Sequence, residues 1–231
     1  MTRGARAELR TELLGRIPDG YSPRLHLAIM TASGVALAAI ALALLRDVRA
    51  WELSLLPAFL LLGNALEWHV HRDVLHRRTR PVQILYVRHT PQHHALYVAD
   101  DMEIHSTREL RFVLLPAYAV AAILAVVSPF PLALAWVGEP NVALLFVATT
   151  ALYLTAYEWL HLAVHLPLRG GLARFAPMRA ARRHHQVHHA SHLKNRWNFN
   201  VTFPLWDLVR GTLRRGAAAH RGPPLARPAA R

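Results

Sequence analysis

The chain has 231 residues, 53% of them hydrophobic, and still carries a formal net charge of +13. One domain of this length can hold both properties only if apolar and basic residues are segregated along the chain, which excludes an ordinary water-soluble globule. The absence of cysteine excludes disulfides, iron–sulfur clusters and thiolate zinc sites.

The apolar residues do fall in runs, with arginines between them. The N-terminal segment, residues 1–24, mixes charges of both signs and lacks the pattern of a secretory signal. Residues 25–45 form a first run long enough to span a bilayer, with no charge inside it. After Arg46, Asp47 and Arg49, a second run covers 51–68, with Trp51 and Trp68 at its ends as interfacial anchors. A polar stretch rich in His and Arg occupies 69–111. The third run, 112–137, contains Pro116, Pro129 and Pro131 and is expected to be kinked or split. A fourth run, 141–159, leads into a second polar region.

The expected fold is therefore all-α: an integral membrane protein with four transmembrane helices in two hairpins. The N-terminus, the middle polar region and the C-terminal region hold most of the arginines, so the positive-inside rule places all three in the cytoplasm. The membrane domain is expected over 25–213, with a disordered basic tail over 214–231. Lys194 is the sole lysine and Ala is abundant, a composition that suggests a GC-rich bacterial genome and hence a bacterial inner membrane.

Sixteen histidines is a high number for this length, and their spacing is regular. His71 and His76 form H-x4-H; His89, His93 and His94 form H-x3-H-H; His161 and His165 form H-x3-H; His185, His188 and His189 form H-x2-H-H. On an α-helix, residues four apart differ by roughly 40° around the axis, so His161 and His165 share a face, as do His185, His188 and His189. His71 and His76 are less well aligned and need a frayed or bent helix end to meet. Two clusters begin where an apolar run ends, so all four can converge on one side of the membrane. Ten imidazoles exceed what one ion takes and suit two ions with about five ligands or fewer each. All-nitrogen ligation fits Fe, Zn, Cu or Ni. The remaining histidines, His26, His69, His105, His184, His192 and His220, are read as polar anchors or hydrogen-bonding residues.

At these clusters the sequence resembles the fatty acid hydroxylase/sterol desaturase superfamily of membrane di-iron enzymes. The runs HRDVLH, HTPQHH, HLAVH and HHQVHH occur in that family's order. The stretch from Asn198 to Asp207, with Arg210, Gly211 and Thr212 after it, resembles the family's N-x-G-x-x-T-x-x-W-D…G-T ending. The likeness covers about 67–213. Two departures exist: His89 and His93 have three residues between them where two are common, and Asn200 stands where glycine is common.

Carried over to this chain, the resemblance implies ten metal ligands: His71, His76, His89, His93, His94, His161, His165, His185, His188 and His189. It implies a helical cap on the cytoplasmic side holding two iron ions, which zinc can replace in a purified sample, and O2 as co-substrate. The reaction oxidises a C–H bond of a membrane lipid, fatty acyl or sterol-like, to an alcohol; removal of a second hydrogen instead gives a desaturase, and a carotenoid hydroxylase is a third option. Each turnover needs two electrons, expected from a ferredoxin or cytochrome with its reductase, since the chain has no recognisable flavin or haem motif. Nucleic acid is not an expected partner. Glu67, Asp73, Glu158 and Asp207 lie near the clusters and are candidates to orient the imidazoles, although Glu67 and Glu158 can equally be caps of their spans. Arg72, Arg77, Arg78, Arg80 and Arg88 either meet an acidic partner or lipid phosphate, or only fix topology. A non-enzymatic His-rich metal transporter, store or structural zinc scaffold is the rival class. The spans hold almost none of the polar ligands that transport needs, and ten ligands are more than a structural zinc site uses.

Overall fold

The computed structural model describes residues 1–216, apart from 168, 170, 172 and 173; every regular element among them is helical, with one isolated bridge between Val98 and Asp101. His220 and all but the first three residues of the tail expected over 214–231 lie outside the described residues.

The N-terminal segment contains a helix, α1 (Arg3–Gly15), whose first turn is capped by the Thr2 hydroxyl accepting the Ala5 N–H at 3.2 Å. It buries Leu13 together with Arg6 and Arg10. Next, α2 (Pro23–Ala43) starts on a Ser22 cap with proline in its first turn. Its buried residues Met30, Gly34, Ala38 and Ala41 recur at helical spacing and form one packing stripe. The outward residues Leu25, Ile29, Val35 and Ile40 are exposed apolar side chains, as expected of a helix facing lipid.

A short helix, Ala50–Leu53, leads into α3 (Leu56–Val70), and the helical path continues as one π-turn, His71–Leu75. Residues Ala50–Leu75 are a candidate membrane span with only 11% of its apolar window buried. The third apolar run is broken, as its prolines require: α4 (Ala119–Val127) and α5 (Pro129–Trp136) meet at 45° around Ser128. Residues 112–118 do not join that span. They fold as the end of a short helix and a connector beside the histidines.

The fourth run becomes α6 (Pro140–His165), 26 residues long, and extends through both His161 and His165. It ends before Pro167: Leu166, restricted by the proline after it, is extended. After the connector, α7 (Ala176–His188) carries the last cluster. Three helices are long and apolar enough to cross a membrane, and four spans result if the bent pair is one.

The two hairpin turns meet at the end remote from the histidines. The Asn141 side chain accepts from Arg46 N at 3.1 Å and donates to Arg46 O at 2.6 Å. Glu52, fully buried, accepts from Arg49 at 2.7 Å, and Arg49 also reaches Glu139 at 2.7 Å. In the centre of the bundle, Ala38 and Ala41 of α2 pack on Ala148 and Ala151 of α6. Small residues let the two backbones approach, and Gly34 takes this furthest: a Cβ added there would lie 2.1 Å from Thr155 Oγ1 and 3.3 Å from Ala151 O. Gly34→Val is therefore expected to lower stability by about 1–3 kcal/mol through overpacking. Thermal unfolding in detergent measures it. Adding Thr155→Ala should restore part of the loss, and an unchanged midpoint in Gly34→Val would contradict the packing.

Candidate metal centre

The ten imidazoles fall into two groups of five, and all ten are buried. The first holds His71, His76, His89, His94 and His188; the second holds His93, His161, His165, His185 and His189. Within each group one ring nitrogen per residue lies within 4.8 Å of the others. His26, His69, His105, His184 and His192 belong to neither. His26 bonds Leu115 O at 2.8 Å and the Tyr21 hydroxyl at 2.8 Å, while His192 is exposed.

The local backbone explains the partition. In an α-helix, residues five apart diverge by roughly 140°. The π-turn at His71–Leu75 replaces the usual bond with His76 N–H to His71 O at 3.2 Å, and the two rings stack at 5.2 Å. A second π-turn, Arg88–His93, does the same with the His94 N–H reaching His89 O. Pro91 sits inside that turn and cannot donate, which favours a change of ladder there. So the first group takes two pairs at a spacing of five. The second takes two pairs at a spacing of four, His161 with His165 on α6 and His185 with His189 at the end of α7. His188 and His189, adjacent in sequence, point to different groups.

Backbone carbonyls and one amide orient the rings. For the first group, Phe199 O faces His71 Nδ1, Trp197 O faces His188 Nδ1 at 3.0 Å, and Asn195 Oδ1 faces His76 Nδ1 at 3.1 Å. For the second, Tyr97 O faces His189 Nδ1 at 2.7 Å, Met102 O faces His165 Nδ1 at 2.7 Å, and Phe112 O faces His93 Nδ1 at 3.0 Å. A carbonyl only accepts, so each of these five carbonyl-facing Nδ1 atoms carries the proton and donates it. Burial, together with neighbouring histidines, drives the pKa of His89, His93, His94, His185, His188 and His189 well below the usual value, and that of His76 down to about 2. These rings are neutral, and where Nδ1 bears the proton Nε2 is a bare lone pair.

Those lone pairs face each other. His93 Nε2 lies 3.2 Å from His189 Nε2, though both rings donate through Nδ1 to carbonyls. His76 Nε2 lies 3.1 Å from His188 Nε2, and His71 Nε2 lies 2.9 Å from His89 Nε2. His161 Nε2 is buried with no hydrogen-bond partner. Acceptors at such distances repel unless a cation lies between them, so the donor set fits two metal ions held by imidazole nitrogen.

The four acidic candidates bond groups other than the ten rings. Among the described residues, none of Glu67, Asp73, Glu158 and Asp207 makes a hydrogen bond to any of the ten rings. Glu67 accepts from Val201 N, Thr202 N, the Thr202 hydroxyl and the Tyr153 hydroxyl. Asp73 pairs with Arg77 at 3.4 Å on the surface. Glu158 accepts from Leu115 N at 2.9 Å and leaves its other oxygen unpartnered. Asp207 accepts from Phe199 N and Asn200 N at 3.0 and 2.9 Å and from the Thr212 hydroxyl at 2.7 Å. Burial alone would raise its pKa, but the bonds from His184, Thr212 and the two backbone N–H groups hold it below the ordinary value. Sequence reasoning missed Asn195, which carries His76, and the carbonyl acceptors, which no side-chain pattern encodes. It also missed Glu109, fully buried between Tyr97 and Arg10.

One cavity touches the centre and a larger one lies within the bundle. A cleft of about 30 Å³ is lined by His89 of one group and His161 of the other, with Leu75, Tyr157, Glu158 and Arg88. An apolar groove of about 480 Å³ runs between α3 and α6, lined by Leu56, Leu60, Leu152, Ala156, Leu160 and Phe203 among others.

Because His188 and His189 serve different groups, His188→Ala and His189→Ala should each lower metal content from two ions per chain to one, and the double variant should hold none. His192→Ala should leave the content unchanged. Elemental analysis of the purified protein checks this, and a His188→Ala chain retaining two ions would refute the partition.

A family model described as fatty acid hydroxylase matches residues 56–212. No curated protein and no solved structure matches the chain. The matched span takes in α3, both π-turns, α6, α7 and all ten clustered histidines. The chain belongs to the fatty acid hydroxylase family.

Proposed function

We propose that this integral membrane protein is an O2-dependent, di-iron lipid hydroxylase acting on an aliphatic C–H bond of a fatty acyl or sterol-like substrate. One observation carries the reading: ten buried imidazoles form two adjacent groups of ring nitrogens, and in the second group His93 and His189, both donating through Nδ1 to carbonyls, face each other with bare Nε2 atoms. The first group would hold one iron through His71, His76, His89, His94 and His188, and the second would hold the other through His93, His161, His165, His185 and His189. When bound, the pair of irons supplies the O2 activation that an unactivated C–H bond requires.

The chain's own residues supply the rest. Carbonyls fix His71, His93, His165, His188 and His189 by their Nδ1–H groups, so these five rings need neither reorient nor lose a proton to bind a cation. Phe199 and Tyr97, both fully buried, pack against rings of the first and the second group respectively and keep water out. The small cleft touches one imidazole of each group, so a C–H brought there lies beside both. The groove between α3 and α6 has the size of a small-molecule site, about 300–1,000 Å³, and opens on residues that face lipid. This supports a substrate that arrives laterally from the bilayer.

The histidine end and both termini face the cytoplasm in this reading, in a bacterial inner membrane. Arg49, in the opposite turn, is neutralised by Glu52 and Glu139. Arg77, Arg78 and Arg80 are exposed just after the ligand His76, whereas Arg88 is spent on the Arg111 and Leu114 carbonyls. An acidic ferredoxin or cytochrome, reduced by its own reductase, would dock on the exposed three.

Lipid mass spectrometry of cells with and without the gene tests the reaction. A gain of one oxygen in a gene-dependent lipid is expected. A loss of two hydrogens would make the enzyme a desaturase with the same metal centre, and no gene-dependent lipid change would remove the proposal. For the donor, the rate of product formation should fall as salt rises, because exposed charges are screened beyond about 10 Å at 0.1 M. A rate that stays flat or rises would argue against electrostatic docking.

A further inference from the structure

The rings of each group lean on a separate piece of backbone. Asn195, Trp197 and Phe199 hold rings of the first group; Tyr97, Met102 and Phe112 hold rings of the second. Neither piece is regular secondary structure over most of its length, so something must fix it. In each case the fixing group is a carboxylate with no exposed surface.

Behind the first piece stands Asp207. Its two oxygens accept from the neighbouring N–H groups of Phe199 and Asn200, and Thr212 Oγ1 adds a third bond. Phe199 therefore donates its N–H to Asp207 while its own carbonyl accepts from His71. Behind the second piece stands Glu109. It accepts from the Tyr97 hydroxyl at 2.9 Å and from His105 N at 3.1 Å, and it pairs with Arg10 of α1 at 3.5 Å. Arg10 also donates to Leu96 O at 3.3 Å, next to the Tyr97 carbonyl that carries His189.

We propose that Asp207 and Glu109 are positioning residues, one for each metal group: Asp207 sets His71 and His188 through the 197–200 backbone, and Glu109 sets His189 and His165 through Tyr97 and the connector around Met102. This rests on the two-metal reading. Neither carboxylate touches a ring, so each acts only through the carbonyl that the ring leans on. The two sites are accordingly braced independently, and each can be loosened without the other.

The isosteric amides are the test. In Asp207→Asn, one of two backbone N–H groups must face an amide NH2 instead of an oxygen. In Glu109→Gln, Arg10 loses its most buried counter-ion. Loss of a group that orients a ligand costs metal affinity about 10–100-fold. Purified chains loaded with Zn2+ alone are titrated with a chelator, and the ions retained are counted. At a chelator concentration that leaves two ions in the wild type, each amide variant should keep one. Pairing identifies the ion: Asp207→Asn with His188→Ala should still keep one, and Asp207→Asn with His189→Ala should keep none. Glu109→Gln should give the reverse. If either amide variant does not survive extraction, Thr212→Val or Tyr97→Phe replaces it; each removes a single bond to the carboxylate and should weaken the same ion by a smaller factor. Wild-type chelator resistance in these variants, or both carboxylates weakening the same ion, overturns the inference. A wild type that never holds two ions overturns the two-metal reading instead.

Discussion

The structure turns on a repulsion. Buried imidazoles are packed with their ring nitrogens facing one another; at His93 and His189 two bare Nε2 atoms sit 3.2 Å apart, and a buried acceptor without a donor costs about 1–3 kcal/mol. A cation bound between such nitrogens would relieve that cost. The Phe112 and Tyr97 carbonyls that hold these two Nδ1–H groups keep either ring from changing tautomer and turning the contact into a hydrogen bond. Burial, against the opposing pull of the carbonyls they face, keeps the rings of His93, His188 and His189 neutral, which is the protonation state a cation needs.

Two backbone geometries deliver the ligands. Along α6 and α7 the ordinary helix stacks residues four apart, and a 26-residue span carries His161 and His165 as part of its own last turns. At His71–Leu75 and Arg88–His93 the ladder slips by one residue, which brings residues five apart onto one face. The slip occurs where a span leaves the bilayer and where a proline removes a donor, both places where an α-helical ladder is cheapest to break. His188 and His189 then join the two groups through adjacent residues, so the end of α7 is the element both groups share.

Much of the fold was legible because its signals are local. Apolar length marks the spans, and Pro129 marks the break between α4 and α5. The limits of the runs were less legible: residues 112–118 are as apolar as a span, yet they turn away to bring Phe112 O to His93. The histidines themselves were found by spacing, but their division between groups was not. An α-helical reading puts His185, His188 and His189 on one face, whereas tertiary packing sends His188 to one side and the other two across. The π-turns have no sequence signature beyond H-x4-H, and the HTPQHH run conceals one such pair, His89 with His94. The supporting carbonyls belong to Tyr97, Met102, Phe112, Trp197 and Phe199, residues whose side chains say nothing of the role. Glu67 and Asp207 sit near histidines in sequence, and each acts on the loop rather than on a ring.

That last point bears on how a polar centre can sit against a bilayer. A carboxylate inside a span is costly unless saturated, and Glu67 is saturated by groups from the far end of the chain, Val201 and Thr202, and by Tyr153 of α6. Asn64, one turn earlier, donates to Phe203 O at 2.8 Å and accepts from Trp206 N at 2.9 Å. The polar residues of α3 thus do not line a path across the membrane, as a transporter would need. They clamp the C-terminal segment over the end of the bundle, beside the same apolar groove that Tyr153, Thr202 and Phe203 help to line. Lipid side and metal side are therefore separated by one bonded layer, in which a residue facing hydrocarbon on one side is two or three peptide units from a carbonyl that holds an imidazole on the other.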